Sequence, residues 1–589
     1  MRKGKALSIL YSSIIPLCFS ATVDANMKPI NIHTQKKLIE LADKYQKEWF
    51  DFFPELGMYF GRTDIAQNRF MDHSLSALSA WQKKEDDFLA ALKALDEEAL
   101  KNLPEYNTYQ LLKETLENNK RARVCKDELW NVNPLWGWHN IIAAIVEKQP
   151  VGTPEYRRLA LQRWRTFDTV VNDEMHNLKI GITEGYTAPK PAVQRVLKQL
   201  KIIINTPVEN SPYLEFAKRD GDPAFKKQML QVIETVINPS LKRYAYFLEE
   251  EYLPIAREEV GLAALPYGAE CYAAKIQKET TLNLPAETIH EYGLSHMHLL
   301  KKEVATIGQR EFGIQEMKEV FYQAKTSPQY LFHSEQDILN YNQAALARAK
   351  AKVDAWFKQI PKADGTIKPY PLHRAQTGAA GEYHPPSDDG QRPGIFYINT
   401  FEPQKRSRID QEATLFHELI PGHHFQFALS FEDKSHHGLD KYLWNAGFGE
   451  GWALYTERLT DEMGLYSDDI SRLGMLSNEA LRTARLVVDP GLHVMGWSRQ
   501  QAVDYLKQHT ALDENIIESE VDRYIMTPGQ ATSYMLGKRE IENLRQLAKV
   551  SLGERFDIRE YHYQVLKNGA VTLPMLRAQI EAWLAAPIT

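Results

Sequence analysis

Apolar residues recur at helical spacing through almost the whole chain, and that periodicity sets the fold class before any motif is considered. Residues 31–53 place Leu38, Leu41, Ala42, Tyr45 and Trp49 on one helical face. Residues 75–103 and 106–119 repeat the pattern. At Thr153-Pro154-Glu155 a capping hydroxyl, a proline at the first helical position and an acid mark a helix start. Residues 181–191 read as a break, 192–200 and 225–256 as helix, 262–268 as a turn and 280–308 as helix again. One stretch departs from this texture. Between residues 362 and 400 Pro, Gly and Asp become dense, and Gly394-Ile395-Phe396-Tyr397-Ile398-Asn399 reads as a short strand. Beyond Thr400 the pattern is helical to the end, with Ser498…Gln501 and Thr527…Gln530 spaced as capping boxes. The predicted fold is mainly α: one large unit over residues 26–589, with two helical lobes (26–270 and 271–589) and a small β element.

The 589 residues suffice for a large core. A net charge of −6 gives no reason to expect nucleic acid as a partner. Arg2, Lys3 and Lys5 precede an apolar run from Ala6 to Ala21, and Val23-Asp24-Ala25 offers small residues for cleavage. Residues 1–25 therefore read as a secretory signal peptide, which predicts a periplasmic or secreted protein. The run is short for a span and is interrupted by Ser8, Ser12, Ser13 and Pro16, so no stable membrane insertion is expected after cleavage. Cys18 as a lipid-anchored N-terminus ranks second, because Leu17 before it is bulky. Cys125 and Cys271 remain in the mature chain, able to pair in an oxidising compartment but too few for a cysteine metal site.

Chemistry is most legible at His417-Glu418-Leu419-Ile420-Pro421-Gly422-His423-His424. Zinc hydrolases hold their metal with imidazole nitrogens and use a glutamate beside the first ligand to take a proton from water. The usual pattern places the second His four residues after the first. That slot is Pro421 here, and the next histidines stand six and seven residues after His417. In an undistorted helix six residues fall about a third of a turn off the face, and seven return to it roughly 10 Å along the axis. Pro421 has no N–H to give the carbonyl of residue 417, and Gly422 tolerates unusual backbone angles. The helix is expected to open inside the motif and bring His423 to the metal, with His424 pointing elsewhere. His290-Glu291…His296 repeats the spacing but lacks a glycine-flanked acid after it, and is expected to be a solvated helix face.

A third ligand is sought in Gly449-Glu450-Gly451-Trp452-Ala453-Leu454-Tyr455-Thr456-Glu457. Glu450 and Glu457 are seven residues apart and share a helix face. Glu450 is favoured for the metal, giving His417, His423 and Glu450, with Glu457 orienting a ligand from behind; the reverse assignment stays open. His, His and Glu suit Zn2+.

These segments resemble the large bacterial family called domain of unknown function 885. Ser387-Asp388-Asp389-Gly390, Arg392-Pro393-Gly394-Ile395-Phe396-Tyr397 and Pro528-Gly529-Gln530-Ala531 with Tyr534 are similar to further segments of that family. The resemblance implies a helical fold related to zinc peptidases of the glutamate-zincin type, with a cleft between lobes that admits short peptides.

An oxyanion partner is expected among the residues after the metal motifs. His493, in Asp489-Pro490-Gly491-Leu492-His493, and Tyr534 are the candidates. Arg523 is a candidate for holding a substrate carboxylate. Tyr397 and Asn399 are candidates for binding an extended peptide by edge pairing of their strand. The reading is an exported zinc-dependent peptidase acting on short peptides, with Glu418 as general base. A metal-dependent hydrolase of another amide or ester, or an exported binding protein with a degenerate site, are the alternatives.

Overall fold

Helices form where the apolar periodicity puts them, in a computed structural model that describes residues 32–101, 103–371, 375, 381–387 and 392–586. The signal-peptide reading over residues 1–25 lies outside the described residues, as do residues 388–390. The first helix spans Ile32–Phe52 and buries Leu38, Ala42 and Tyr45. Thr153 caps the helix Pro154–Arg165 by accepting from the Tyr156 N–H, with Pro154 at the position it suits. Residues 181–184 extend a helix rather than break it: Phe167–Glu184 ends only at Gly185, whose φ is +83°. Gly181 serves another purpose, since a Cβ there would overlap the Leu129 carbonyl.

The helices that frame the site are α1 (Gly268–Thr280), α2 (Ala286–Phe312), α3 (Gln411–Glu418), α4 (His423–Glu432), α5 (Ala446–Glu462), α6 (Asp469–Val494), α7 (Glu514–Met526) and α8 (Ser533–Leu552). Before α3 lies a three-stranded sheet of β1 (Gly365–Pro369), β2 (Gly381–His384) and β3 (Gly394–Ile398), in the order β1-β3-β2. β3 pairs parallel to β1 and antiparallel to β2. The capping box at Ser498 and Gln501 is present. The one expected at Thr527 and Gln530 is not: Thr527 ends α7, and the chain turns through Gly529 at φ +81° before α8 begins.

Three apolar cores hold the helices together. One joins Leu38 and Tyr45 of the first helix to Phe416, Trp452 and Tyr455 around the His-Glu motif. A second is built on α2, α6, α7 and α8, through residues such as Ile289, Leu473, Tyr524 and Leu536. The third lies wholly in the N-terminal part, around Trp138, Trp164 and Tyr244. Cys125 and Cys271 are disulfide-bonded across 146 residues of sequence, tying the segment before Asp127 to α1. Among the described residues no helix is long and apolar enough to cross a membrane.

Candidate metal centre

The helix opens inside the motif so far that it breaks into two. α3 ends at Glu418, residues 419–422 form a turn containing a cis Ile420–Pro421 peptide, and α4 starts at His423. Gly422 packs directly on the end of α3, where a Cβ would overlap the carbonyl oxygens of His417 and Phe416. The opened turn exposes carbonyls that need donors. Trp452 supplies one: its Nε1 lies 3.1 Å from the Pro421 oxygen and 3.3 Å from that of Gly422. His423 thus returns to His417 across a turn rather than along a continuous helix, and the two rings stand 5.0 Å apart and nearly perpendicular.

Glu450 completes the group from α5. Its Oε2 lies 3.6 Å from His417 Nε2 and 3.4 Å from His423 Nε2. Both separations exceed ordinary hydrogen bonds. They match the ~3.4 Å edge of a tetrahedron whose corners sit ~2.1 Å from a central ion. Among the described residues this is the one group of at least three His, Cys, Asp or Glu side chains whose donor atoms lie within 4.8 Å of one another. The glycines around Glu450 permit its placement. A Cβ on Gly449 would overlap the Trp444 ring, and one on Gly451 would press on Gly537 of α8, 2.5 Å from its Cα.

The partners behind the group fix the ring orientations. His417 donates Nδ1–H to Glu457 Oε1 at 2.8 Å, which leaves Nε2 free to face Glu450. Glu457 is buried, and its second oxygen has no partner among the described residues. His424 faces away, as expected: its Nδ1 accepts from Tyr383 OH and its Nε2 donates to the Ala363 carbonyl, both at 2.8 Å. It fastens the motif to the sheet, where Gly394 and Gly365 leave room for its ring. Burial holds the His424 pKa below its usual value.

Burial also opposes charge on His417, but the facing carboxylates of Glu450 and Glu457 outweigh it and hold the imidazolium up to about 9. Burial would raise Glu450, yet His417 and His423 hold it well below the usual carboxylate range. Two imidazoles and a carboxylate converging on a buried point fit a divalent cation of zinc type. Glu418 lies beside them. Burial pushes its carboxyl up, His417 and His423 pull it down, Glu450 adds to the rise and Arg482 opposes it; the net direction is upward.

A cavity of about 820 Å³ reaches this group at Glu450, and Tyr534, Arg523, Trp136, Lys275 and Glu279 also line it. Tyr534 is delivered by the 527–532 turn, which Asp489 pins by accepting from the Gly529 N–H at 3.0 Å and from Tyr272 OH at 2.6 Å.

Two expected roles do not survive this geometry. His493 is fully buried, does not line the cavity, stacks on Tyr272 and donates Nε2–H to the Tyr524 carbonyl at 2.9 Å. It is a packing residue, which leaves Tyr534 as the cavity-facing candidate. The second is edge pairing by the strand of Tyr397 and Asn399. β3 is the central strand, so both of its edges are occupied. Asn399 is buried and donates to the Ala375 carbonyl at 2.9 Å, and Tyr397 stacks on Tyr370. Arg523 lines the cavity, where it also meets Glu520 at 3.2 Å and Gln530 at 2.8 Å. The His290 and His296 pair is structural, bonded to the Val487 carbonyl and to Glu479. Sequence reasoning missed Trp452 as the support of the opened turn and the charge of Arg482 acting on Glu418. Arg482 and Arg485 leave a faint signal: two arginines one turn apart in the mostly apolar stretch Leu481–Val488.

Residues 54–580 match the family described as bacterial protein of unknown function DUF885, and the chain belongs to that family. The fold is also that of a crystal structure from Colwellia psychrerythraea provisionally called a lipoprotein. The TM-score is 0.85 at 23% identity, over 94% of this chain and 99% of that one. A second protein provisionally called a lipoprotein, of unknown function and from Shewanella oneidensis, matches with a TM-score of 0.77 at 15% identity. That match covers 92% of this chain and 99% of the other. No curated protein matches the chain.

Proposed function

We propose that this DUF885 member is an exported zinc-dependent peptidase that hydrolyses short peptides. The observation that carries the reading is the convergence of His417, His423 and Glu450, with Glu418 adjacent and a cavity opening onto Glu450. A zinc ion held by those three side chains supplies Lewis acidity toward the scissile carbonyl and acidifies water. Glu457 keeps His417 in the tautomer that presents Nε2. Glu418 takes a proton from the attacking water as its oxygen bonds to the carbonyl carbon. It then delivers that proton to the amine as the C–N bond breaks. The upward shift of the Glu418 carboxyl suits a group that must both take and return a proton. Tyr534, on the cavity wall, is the donor assigned to the oxygen on which charge develops.

Export is supported by the basic, apolar leader and by the Cys125–Cys271 bridge, which suits an oxidising compartment. It is supported too by the provisional lipoprotein names of the two structural relatives. The test is a Glu418→Gln variant assayed against a mixed peptide library. It is expected to keep its zinc and to lose hydrolysis by about 100-fold or more. A variant that cleaves as well as wild type overturns the mechanism.

A further inference from the structure

Around Tyr534 two buried guanidinium nitrogens, Arg482 Nε and Arg485 Nη1, have no hydrogen-bond partner among the described residues. Arg485 is buried in α6, with 4% of its side chain exposed, and stands 4.6 Å from the Tyr534 ring centroid. Its Nε meets Tyr524 OH at 3.0 Å and its Nη2 meets Glu520 at 2.8 Å, but its Nη1 has no partner. Arg482, one turn earlier, stands 5.7 Å from the same ring. Among the described residues its one hydrogen bond is a long 3.4 Å contact from Nη1 to the Asn478 carbonyl, and its buried Nε has no partner. Arg523 is the one of the three that lines the cavity, while Arg482 and Arg485 stand behind it against the Tyr534 ring.

Glu279 shares the cavity wall with Arg523, and among the described residues no ion pair joins it to any of the three cations. Glu520 is shared between Arg485 and Arg523 and also accepts from Tyr524 OH. Asp489 acts on Arg523 but is committed to Tyr272 and Gly529, and burial pushes its carboxyl up to about 7. Glu418 feels Arg482 electrostatically, yet no ion pair joins them. Buried guanidinium N–H groups left without acceptors are costly, and the natural remedy is a ligand with two anionic oxygens.

We propose that Arg482 and Arg485, with Arg523, form a recognition site for the free C-terminal carboxylate of a peptide, so that cleavage falls within a residue or two of that end. The inference rests on the peptidase reading, because the C-terminus is the anion that every short peptide carries. The shared cavity ties the carboxylate to the reaction: Arg523 and Tyr534 line it together with Glu450, Arg482 stands against the Tyr534 ring, and one peptide residue spans only ~3.5 Å.

The test separates binding from hydrolysis. A library of N-acetylated tetrapeptides of mixed sequence is prepared in two forms, with a C-terminal acid and with a C-terminal amide. Binding is measured on full-length Glu418→Gln protein, and hydrolysis on wild type by mass spectrometry. The acid form is expected to bind about 30-fold tighter than the amide, as a charge-assisted contact predicts. Adding Arg482→Met is expected to bring that ratio to within about threefold. Equal binding of the two forms, or binding of neither, overturns the carboxylate site, while hydrolysis of either form leaves the peptidase reading standing. A preference that survives Arg482→Met overturns the assignment to this cluster. A preference without any hydrolysis by wild type sinks the peptidase reading and keeps the site.

Discussion

Replacing Glu457 with glutamine isolates the role of the carboxylate behind His417. The side chain is 1% exposed and accepts the His417 Nδ1–H at 2.8 Å. Glutamine keeps an acceptor oxygen of nearly the same shape and removes the charge. A hydrogen bond to a charged group contributes about 1.5–3 kcal/mol and a neutral one about 1. The loss is therefore about 0.5–2 kcal/mol, or roughly 2- to 30-fold in zinc affinity. Its upper part overlaps the ~10- to 100-fold range typical of residues that support a metal-ligating histidine. The assay is competition with a chromophoric chelator, run near pH 7.5 and again near pH 9.5. Below about 9 zinc must displace a proton from His417, and the variant weakens the hold on that proton too. The deficit is thus expected to be larger at the higher pH. Glu450→Gln, which removes a donor of the group itself, is expected to lose considerably more. An unchanged zinc affinity in Glu457→Gln, or a loss equal to that of Glu450→Gln, would refute the division of labour between the two carboxylates.

Other consequences follow from the same geometry. Trp452→Phe removes the indole donor from the Pro421 and Gly422 carbonyls and is expected to cost about 1–3 kcal/mol in denaturant unfolding, with weakened zinc binding. Cys125→Ser with Cys271→Ser frees a loop of 146 residues and is expected to lower stability by about 2–5 kcal/mol; a melt unchanged from wild type counts against a structural bridge. Burial lowers the His493 pKa to about 4. The unfolded chain therefore takes up a proton that the folded one refuses, and stability is lost as pH falls from about 6.5 toward 4. His493→Gln, which can still donate to the Tyr524 carbonyl, is expected to flatten that acid limb of the urea-unfolding profile while leaving zinc affinity unchanged.

Much of this molecule is legible in sequence because helices announce themselves locally. The caps at Thr153 and Ser498 and the buried face of Leu38, Ala42 and Tyr45 depend on neighbours a turn or two away. The candidate site is legible for a related reason: the relevant residues lie in two short segments, and Pro421 and Gly422 are where the helix has to open. What failed depended on distant partners. β1 and β2 are short and half-polar, so the sheet order that makes β3 central was invisible, and the edge-pairing role of Tyr397 and Asn399 failed with it. His493 carries the residue type of a catalytic group, and only the packing of Tyr272 and Tyr524 shows it to be enclosed. Thr527…Gln530 has capping-box spacing, but Gly529 turns the chain inside it. Arg482 and Arg485 acquire meaning only when Tyr534 and Glu520 arrive from elsewhere in the chain.

The most direct test of the central claim is the position of zinc in crystals of the full-length protein, located by anomalous scattering at the zinc edge. The account predicts one peak about 2.0–2.2 Å from His417 Nε2, His423 Nε2 and an oxygen of Glu450. His424 and Glu457 are expected to lie outside that shell. A peak ligated by His424 or Glu457 in place of His423 or Glu450, or the absence of zinc from this group in zinc-saturated crystals, would contradict it.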